Sequence, residues 1–214
     1  KMYALKLDRI GYKGIIDLRP MKVDVKKLQQ LILYIIQRYN NEKLTETKLQ
    51  KLLYYCDFNH FALEKKPITG FIYRKNKFGP TIMELPKILK EMEDKGLIKL
   101  LRQTNYYGTY QTRFSIEDSN IVPEESFTES ERLIITNVNE AYKQLTPREI
   151  SRLSHADFPY AATKNIGDKI KYSLVNFREE IGDDTELEDE ETTNFFLSPN
   201  FSSLMEKVDR TLRS

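Results

Sequence analysis

Cys56, Asp57 and His60 form the closest grouping of residue types that do nucleophilic, acid-base or metal chemistry. On a helix, Cys56 and His60 lie four residues apart on one face, and Asp57 can reach His60 three residues later. We favour a structural interpretation, in which the cysteine packs in the core and the histidine has a local hydrogen-bond partner. His155 with Asp157 is a similar pair near a predicted helix end, where a histidine interacts favourably with the helix dipole.

Sequence motifs of the commonest enzyme classes do not occur in the chain. It has no phosphate-binding loop, no Gly-x-Gly-x-x-Gly, no Gly-x-Ser-x-Gly and no His-Glu-x-x-His. One cysteine and two histidines argue against a disulfide framework and a structural zinc site. We therefore predict a non-enzymatic protein without cofactor or metal. The alternative is an enzyme, for which Asp57, His60 and His155 would have to converge.

The net charge of +2 conceals two halves of opposite sign. Residues 1–114 hold 23 Lys and Arg against 11 Asp and Glu, whereas residues 115–214 hold 11 against 21. A basic half can meet nucleic acid or an acidic partner, and an acidic half can shield it or meet a basic partner. Neutralisation of one half by the other within the fold explains the pattern as well.

One basic and aromatic stretch has the ingredients of a nucleic-acid surface, which stacks bases and contacts phosphates. Its residues are Tyr73, Arg74, Lys75, Lys77 and Phe78. The helix predicted next carries Glu91, Glu93 and Asp94, and this negative charge opposes insertion into a DNA groove. DNA binding is therefore an alternative that we do not favour.

The composition is that of a protein with a hydrophobic core. With 214 residues and 40% apolar residues, the chain can bury a substantial core. It contains no apolar run of about 18 residues, and its start, KMYALKLDRIGYKG, is too charged for a signal peptide. We expect a cytoplasmic protein that is not inserted in a membrane.

Helical spacing of apolar residues and capping residues predicts several helices. Asp24 caps the first helix, and the second begins near Thr45. One face of the second helix carries Leu49, Leu52, Leu53, Cys56 and His60. Its other faces carry Lys48, Lys51 and Asp57. Further helices are predicted from about Pro86 to Gly96, over 129–145, after Thr146-Pro147-Arg148-Glu149, and over about 168–178 with Ile170, Leu174 and Phe177 inward.

Strands are predicted where apolar and polar residues alternate. FIYRKNKF, residues 71–78, is predicted as a strand that Gly79-Pro80 ends, and LIKLLRQ with YYGTYQTRF is predicted as a β-hairpin. Helix followed by hairpin is typical of half a winged helix. The predicted class is α+β, mainly α-helical, with amphipathic helices around a small antiparallel sheet.

Three stretches resemble the Panacea domain, the SocA-like antitoxin domain of bacterial, archaeal and phage toxin-antitoxin pairs. They are LTETKLQKLLYYCDFNHFALEKKPITGFIYRKNKFGP, then GLIK, and later LSHADFPYAAT. The resemblance spans about 24–178, with Tyr160 where the family often has Trp, and residues 1–23 have no counterpart. It implies an antitoxin that binds a cognate toxin directly, or an adaptor that delivers the toxin to a AAA+ protease. The motif positions, read as structural, are Lys51, Leu52, Pro67, Gly70, Gly79, Pro80, His155, Asp157 and Pro159.

We predict four segments: an arm or short strands (1–23), the Panacea domain (24–178), an acidic linker (179–194) and a C-terminal amphipathic helix (195–214). Partner contacts are assigned to groups expected to point outward and to the apolar stripe of the tail. They are Tyr55, Asp57, Tyr73 and Lys77, with Phe201, Leu204 and Val208. The alternative for the tail is packing against its own domain.

Overall fold

A computed structural model describes residues 22–39, 44–104, 110–116, 122 and 124–181 of the chain. The predictions for the N-terminal arm up to residue 21, for the acidic linker from residue 182 and for the tail lie outside these residues. That includes the proposed contact residues Phe201, Leu204 and Val208.

The fold is mainly helical with a two-stranded antiparallel sheet, which confirms the predicted class. In chain order the elements are α1 (Val25–Tyr39), α2 (Glu46–Glu64), α3 (Leu85–Asp94), β1 (Lys99–Thr104), β2 (Tyr110–Ser115), a 3₁₀ turn (Glu124–Ser126), α4 (Glu129–Tyr142), α5 (Pro147–Ala156), α6 (Phe158–Ala161) and a final 3₁₀ helix (Tyr172–Ile181). Among the described residues, no helix is long and apolar enough to cross a membrane.

Helix starts are where capping chemistry predicts them. Asp24 Oδ1 accepts a hydrogen bond from the Lys27 backbone N–H at 2.8 Å at the start of α1. At α5, the Thr146 side chain accepts from the Glu149 N–H, and the Glu149 carboxylate accepts from the Thr146 N–H. This reciprocal pair satisfies two backbone donors that a helix start otherwise leaves unpaired, so the short α5 begins at Pro147.

Helix α2 is the centre of the domain, and all of its residues from Lys51 to Phe58 are buried. It contacts α1, α4, α5, β2 and the final 3₁₀ helix. The prediction of a single buried face is therefore wrong: Lys48, Lys51 and Asp57 are as buried as the leucines of α2. Neighbouring elements cover this central part of the helix because aromatic and aliphatic residues occur at all angles around it.

Two other predicted elements differ from the structure. Residues 71–78 form no regular strand. Arg74 forms isolated bridges with Thr81 and Lys169, and backbone hydrogen bonds join Tyr73 to Ile170 and Lys75 to Asp168 and Gly167. The pairing is confined to residues 73–75. The helix predicted over about 168–178 begins later than expected. The backbone is extended at buried Ile170, and a 3₁₀ helix begins at Tyr172. The predicted hairpin is confirmed as β1 paired with β2, in register from Lys99 with Ser115 to Thr104 with Tyr110.

Candidate functional site

Asp57 lies fully buried on α2 and holds the Pro-Ile-Thr-Gly turn against that helix. Its Oδ1 accepts a hydrogen bond from the Thr69 N–H at 2.7 Å, and its Oδ2 accepts from the hydroxyls of Thr69 and, at 2.9 Å, Tyr73. Burial raises the pKa of Asp57, and the bonds from Thr69 and Tyr73 oppose this shift. The predicted outward placement of Asp57 and Tyr73 is wrong, because the turn and the aromatic core cover both.

A second buried carboxylate, Asp157, ties three parts of the chain together. The Tyr54 hydroxyl donates to Asp157 Oδ2 at 2.6 Å, and Arg178 donates to both oxygens, from Nε at 2.8 Å and Nη2 at 2.9 Å. The third guanidinium nitrogen of Arg178 donates to Asn59 Oδ1 at 2.6 Å. A bidentate ion pair of this kind fixes the relative orientation of the guanidinium and the carboxylate and also pairs their charges. It joins α2, the α5–α6 corner and the final 3₁₀ helix.

Sequence reasoning missed Tyr54, Asn59 and Arg178. A signal was present for Asp57 instead: the run Leu-Leu-Tyr-Tyr-Cys-Asp-Phe around it is apolar and aromatic, so this aspartate requires internal donors if the run is buried. Tyr55 was also expected outward. It is buried, and its ring stacks on Tyr142 with centroids 4.5 Å apart.

Gly79 packs between α2 and α5 more closely than any side chain permits. Its φ is +95°, and a Cβ there would lie 2.6 Å from Ser154 Oγ and 2.8 Å from Lys51 Cε. Gly70 is a similar case, with φ of +71° and a Cβ position 2.6 Å from the Lys22 carbonyl oxygen. The remaining motif positions, Leu52, Pro67, Pro80 and Pro159, are buried as well.

The two histidines contact separate sets of partners. His60 Nδ1 lies 2.6 Å from the Lys66 carbonyl oxygen. The nitrogens of His155 lie 2.6 Å from the Ser151 carbonyl oxygen and 3.1 Å from that of Lys77. Burial raises the pKa of the Cys56 thiol, which disfavours its nucleophilic thiolate form. Within the described residues, no group of three or more His, Cys, Asp or Glu is placed to hold a metal ion.

The basic and aromatic stretch 73–78 is not one continuous surface. Arg74 donates to the Gly167 carbonyl oxygen at 2.8 Å. Lys75 donates to that of Thr163 at 2.6 Å and lies over the Tyr160 ring. Lys77 and Phe78 are exposed, and Lys77 points outward as predicted.

A surface groove of about 400 Å³ lies next to this stretch. We call it the α2 groove. Its lining comes from the start of α2, the segment 76–86, β2 and the start of α5: Thr45, Glu46, Thr47, Gln50, Lys51, Asn76, Phe78, Thr81, Ile82, Met83, Pro86, Gln111, Thr112 and Pro147. Phe78 and Met83 are 62% and 56% exposed, large fractions for apolar side chains of this size.

Lys51 lies at the buried side of the α2 groove, 1% exposed. Its Nζ donates to the Pro80 carbonyl oxygen at 3.0 Å, which holds the Gly-Pro turn against α2. Burial lowers the pKa of the Lys51 ammonium to about 7. Beside it, Gln50 Oε1 accepts from the Ile82 N–H at 3.1 Å.

Comparison with protein families matches residues 49–159, more than half of the 214-residue chain, to the family described as "Antitoxin SocA-like, Panacea domain". The chain belongs to this antitoxin family. The matched range of the Panacea domain runs from α2 to the start of α6 and contains both buried carboxylates. The searches of curated proteins and of solved structures gave no significant match.

Proposed function

We propose that this Panacea domain is a non-enzymatic antitoxin that neutralises a cognate toxin by direct binding, with the α2 groove at the centre of the interface. The observation that carries the proposal is the contrast within the family-matched range. The motif residues are buried except for half-buried His155, whereas Phe78 and Met83 stand exposed beside a concave surface. Family membership supports the antitoxin role.

Large apolar side chains beside a concavity are typical of the residues that dominate binding energy. A specific complex of this kind buries roughly 1,200 to 2,000 Å² in total. The toxin would therefore extend beyond the α2 groove, and exposed Lys77 at its edge would add a charged contact. Binding there would occlude the toxin's active or substrate-binding surface.

Two other mechanisms are retained as outcomes of the test. One is delivery of the toxin to a AAA+ protease. The other is DNA-binding autoregulation, which Arg74 and Lys75 support less well because both already donate to backbone carbonyls of the domain. In all three the site of action is the cytoplasm.

The test is co-expression with the protein encoded by the adjacent reading frame, scoring growth rescue and co-purification together. We expect rescue and a stable complex for the unaltered chain. The double variant Phe78→Ala with Met83→Ala is expected to lose both, because it removes the exposed apolar groups beside the groove. Ile166→Ala is the matched control, since Ile166 is 63% exposed and lies outside the groove lining.

Rescue without a complex would contradict direct neutralisation and support degradation or repression. In that case, tenfold changes in salt concentration and a charge reversal at Lys75 and Lys77 would test DNA binding, which weakens steeply with salt. Absence of rescue would contradict the antitoxin proposal. Activity that depends on Asp57, His60 or His155 would then be sought.

A further inference from the structure

The Lys51 ammonium has more N–H groups than it has hydrogen-bond acceptors near it. An ammonium carries three N–H groups, and in the described part of the chain one hydrogen bond is formed by Lys51 Nζ, to the Pro80 carbonyl oxygen. The side chain is 1% exposed. Burying a charged group with unfilled donors is unfavourable unless a further acceptor reaches it. The α2 groove is the space from which such an acceptor can come.

Among the described residues, two other buried or half-buried cations, Lys48 and Arg178, have more acceptors than Lys51 has. Lys48, equally buried on α2, donates to the carbonyl oxygens of Lys143 and Leu145 at 2.8 and 2.7 Å. Arg178 has the Asp157 carboxylate. Lys51 differs from both because it is one of the residues that line an open groove with exposed apolar side chains.

We propose that an aspartate or glutamate side chain of the toxin, carried on an apolar segment, enters the α2 groove and accepts a hydrogen bond from Lys51. This inference rests on the proposed function and names the chemistry that its interface recognises. The apolar neighbours of that carboxylate would pack on Phe78 and Met83. A carboxylate is favoured over a neutral acceptor because it accepts hydrogen bonds from the remaining N–H groups of Lys51 and also neutralises the charge of the buried ammonium.

Charged and titratable groups on the elements around Lys51 also bear on the pH dependence. They include Glu46, Lys48 and Asp57 on α2, Lys77 and Glu84 on the segment 76–86, Arg113 on β2, and Arg148, Glu149, Arg152 and His155 on α5. Glu149 is engaged in its helix cap, and burial raises the pKa of Glu46. Because these groups are unchanged in a Lys51 variant, their titrations cancel when the two proteins are compared.

The proposal predicts a definite sign for the pH dependence of toxin affinity. A carboxylate bound to Lys51 raises the pKa of its ammonium in the complex above the value of about 7 in the free chain. Binding then takes up a proton above pH 7, so affinity falls by up to about tenfold per pH unit until the pKa of the complex is reached. A neutral apolar occupant would lower this pKa further, and affinity would rise with pH.

The experiment measures the dissociation constant of the complex with the protein from the adjacent reading frame by calorimetry at pH 6.5, 7.5 and 8.5. The chain and its Lys51→Met variant are compared, with thermal melting to establish that the variant is folded. We expect the association constant of the unaltered chain, divided by that of the Lys51→Met variant, to fall about tenfold between pH 7.5 and 8.5. A constant or rising ratio would overturn the proposal.

A second measurement, which does not need the variant, tests the proposal if Lys51→Met fails to fold. The Cε and Hε resonances of Lys51 are titrated by NMR in the unaltered chain, free and in the complex. A higher pKa in the complex supports the carboxylate contact, and an unchanged or lower one overturns it. If a complex forms without this signature, only the carboxylate inference fails. If no complex forms at any pH, the proposed function fails as well.

Discussion

The two carboxylates in the core and the α2 groove differ in how completely their polar atoms are paired. Asp57 accepts hydrogen bonds from a backbone N–H and from hydroxyls, and Asp157 accepts from Tyr54 and from Arg178 twice. In the groove, Lys51 bonds one carbonyl oxygen and large apolar side chains face solvent. The comparison teaches that the elements joined by Asp57 and Asp157, which we call the frame, are held by several internal hydrogen bonds, whereas the surface suited to a partner has fewer internal contacts. The predictions below test this division.

The largest expected effect is that of Arg178→Met. Removing the guanidinium leaves the Asp157 carboxylate, 2% exposed, without its counter-charge, and should lower the free energy of unfolding by about 3 to 5 kcal/mol. Urea denaturation at pH 7 measures this, with exposed Arg152→Met as the control expected to change little. A loss under about 1 kcal/mol would mean that the pair does not hold the frame together.

Asp57→Ala should destabilise the domain by about 3 to 4 kcal/mol, because it leaves the donors of Thr69 and Tyr73 buried without an acceptor. The control is Asp94→Ala on α3, whose carboxylate is 61% exposed and paired with Lys90 at 2.7 Å. An exposed pair of this kind contributes at most about 1 kcal/mol. Equal losses for the two variants, again by urea denaturation, would remove the distinction between frame and surface.

The variants Gly79→Ala and Gly96→Ala distinguish the loss of stability caused by a steric clash from the loss caused by an unfavourable backbone conformation. Both glycines have positive φ, but a Cβ at Gly79 meets Ser154 and Lys51, whereas no atom of the described residues lies within 4 Å of a Cβ at Gly96. We expect a loss of about 2 to 3 kcal/mol at Gly79 and about 1 kcal/mol at Gly96, measured by thermal unfolding. A similar loss at both positions would show that the contact between α2 and α5 yields to an added methyl group.

The smallest effect on stability is expected for the groove variant Phe78→Ala with Met83→Ala. Because both side chains are mostly exposed, the free energy of unfolding should change by no more than about 0.5 kcal/mol. Toxin affinity, in contrast, should fall by tenfold or more, as expected when residues at the centre of an interface are truncated. A large loss of stability would assign these residues to the frame.

Local signals in the sequence were sufficient for much of the fold. Asp24 and the Thr146-Pro147-Arg148-Glu149 run located two helix starts, since capping depends on residues within one turn. The hairpin was predictable for the same reason. Residues 71–78 were not, because most of their pairing partners, at 167–170, lie far along the chain and pair with residues 73–75 alone.

The candidate site was predictable in part. The stretch containing Lys51, Gly79, Lys77 and Phe78 was singled out, and Lys77 is exposed as expected. The apolar run around Asp57 was the local sign of its burial, whereas the buried positions of Tyr55, on α2, and Tyr73, after it, were not predictable from local sequence. Whether a face of a helix meets solvent depends on which elements cover it, and α4, α5 and the final 3₁₀ helix come much later in the chain.

By itself, the sequence determined the helical class, the helix caps, the hairpin and, through its motif residues, the resemblance to the antitoxin family. Tertiary structure alone decided which polar groups became internal. Tyr54 and Asp157 are 103 residues apart, and only folding brings that hydroxyl within 2.6 Å of the carboxylate. A side chain's charge and shape are local properties, whereas its burial and its partners are set by distant segments, so frame and binding surface separate only in the folded domain.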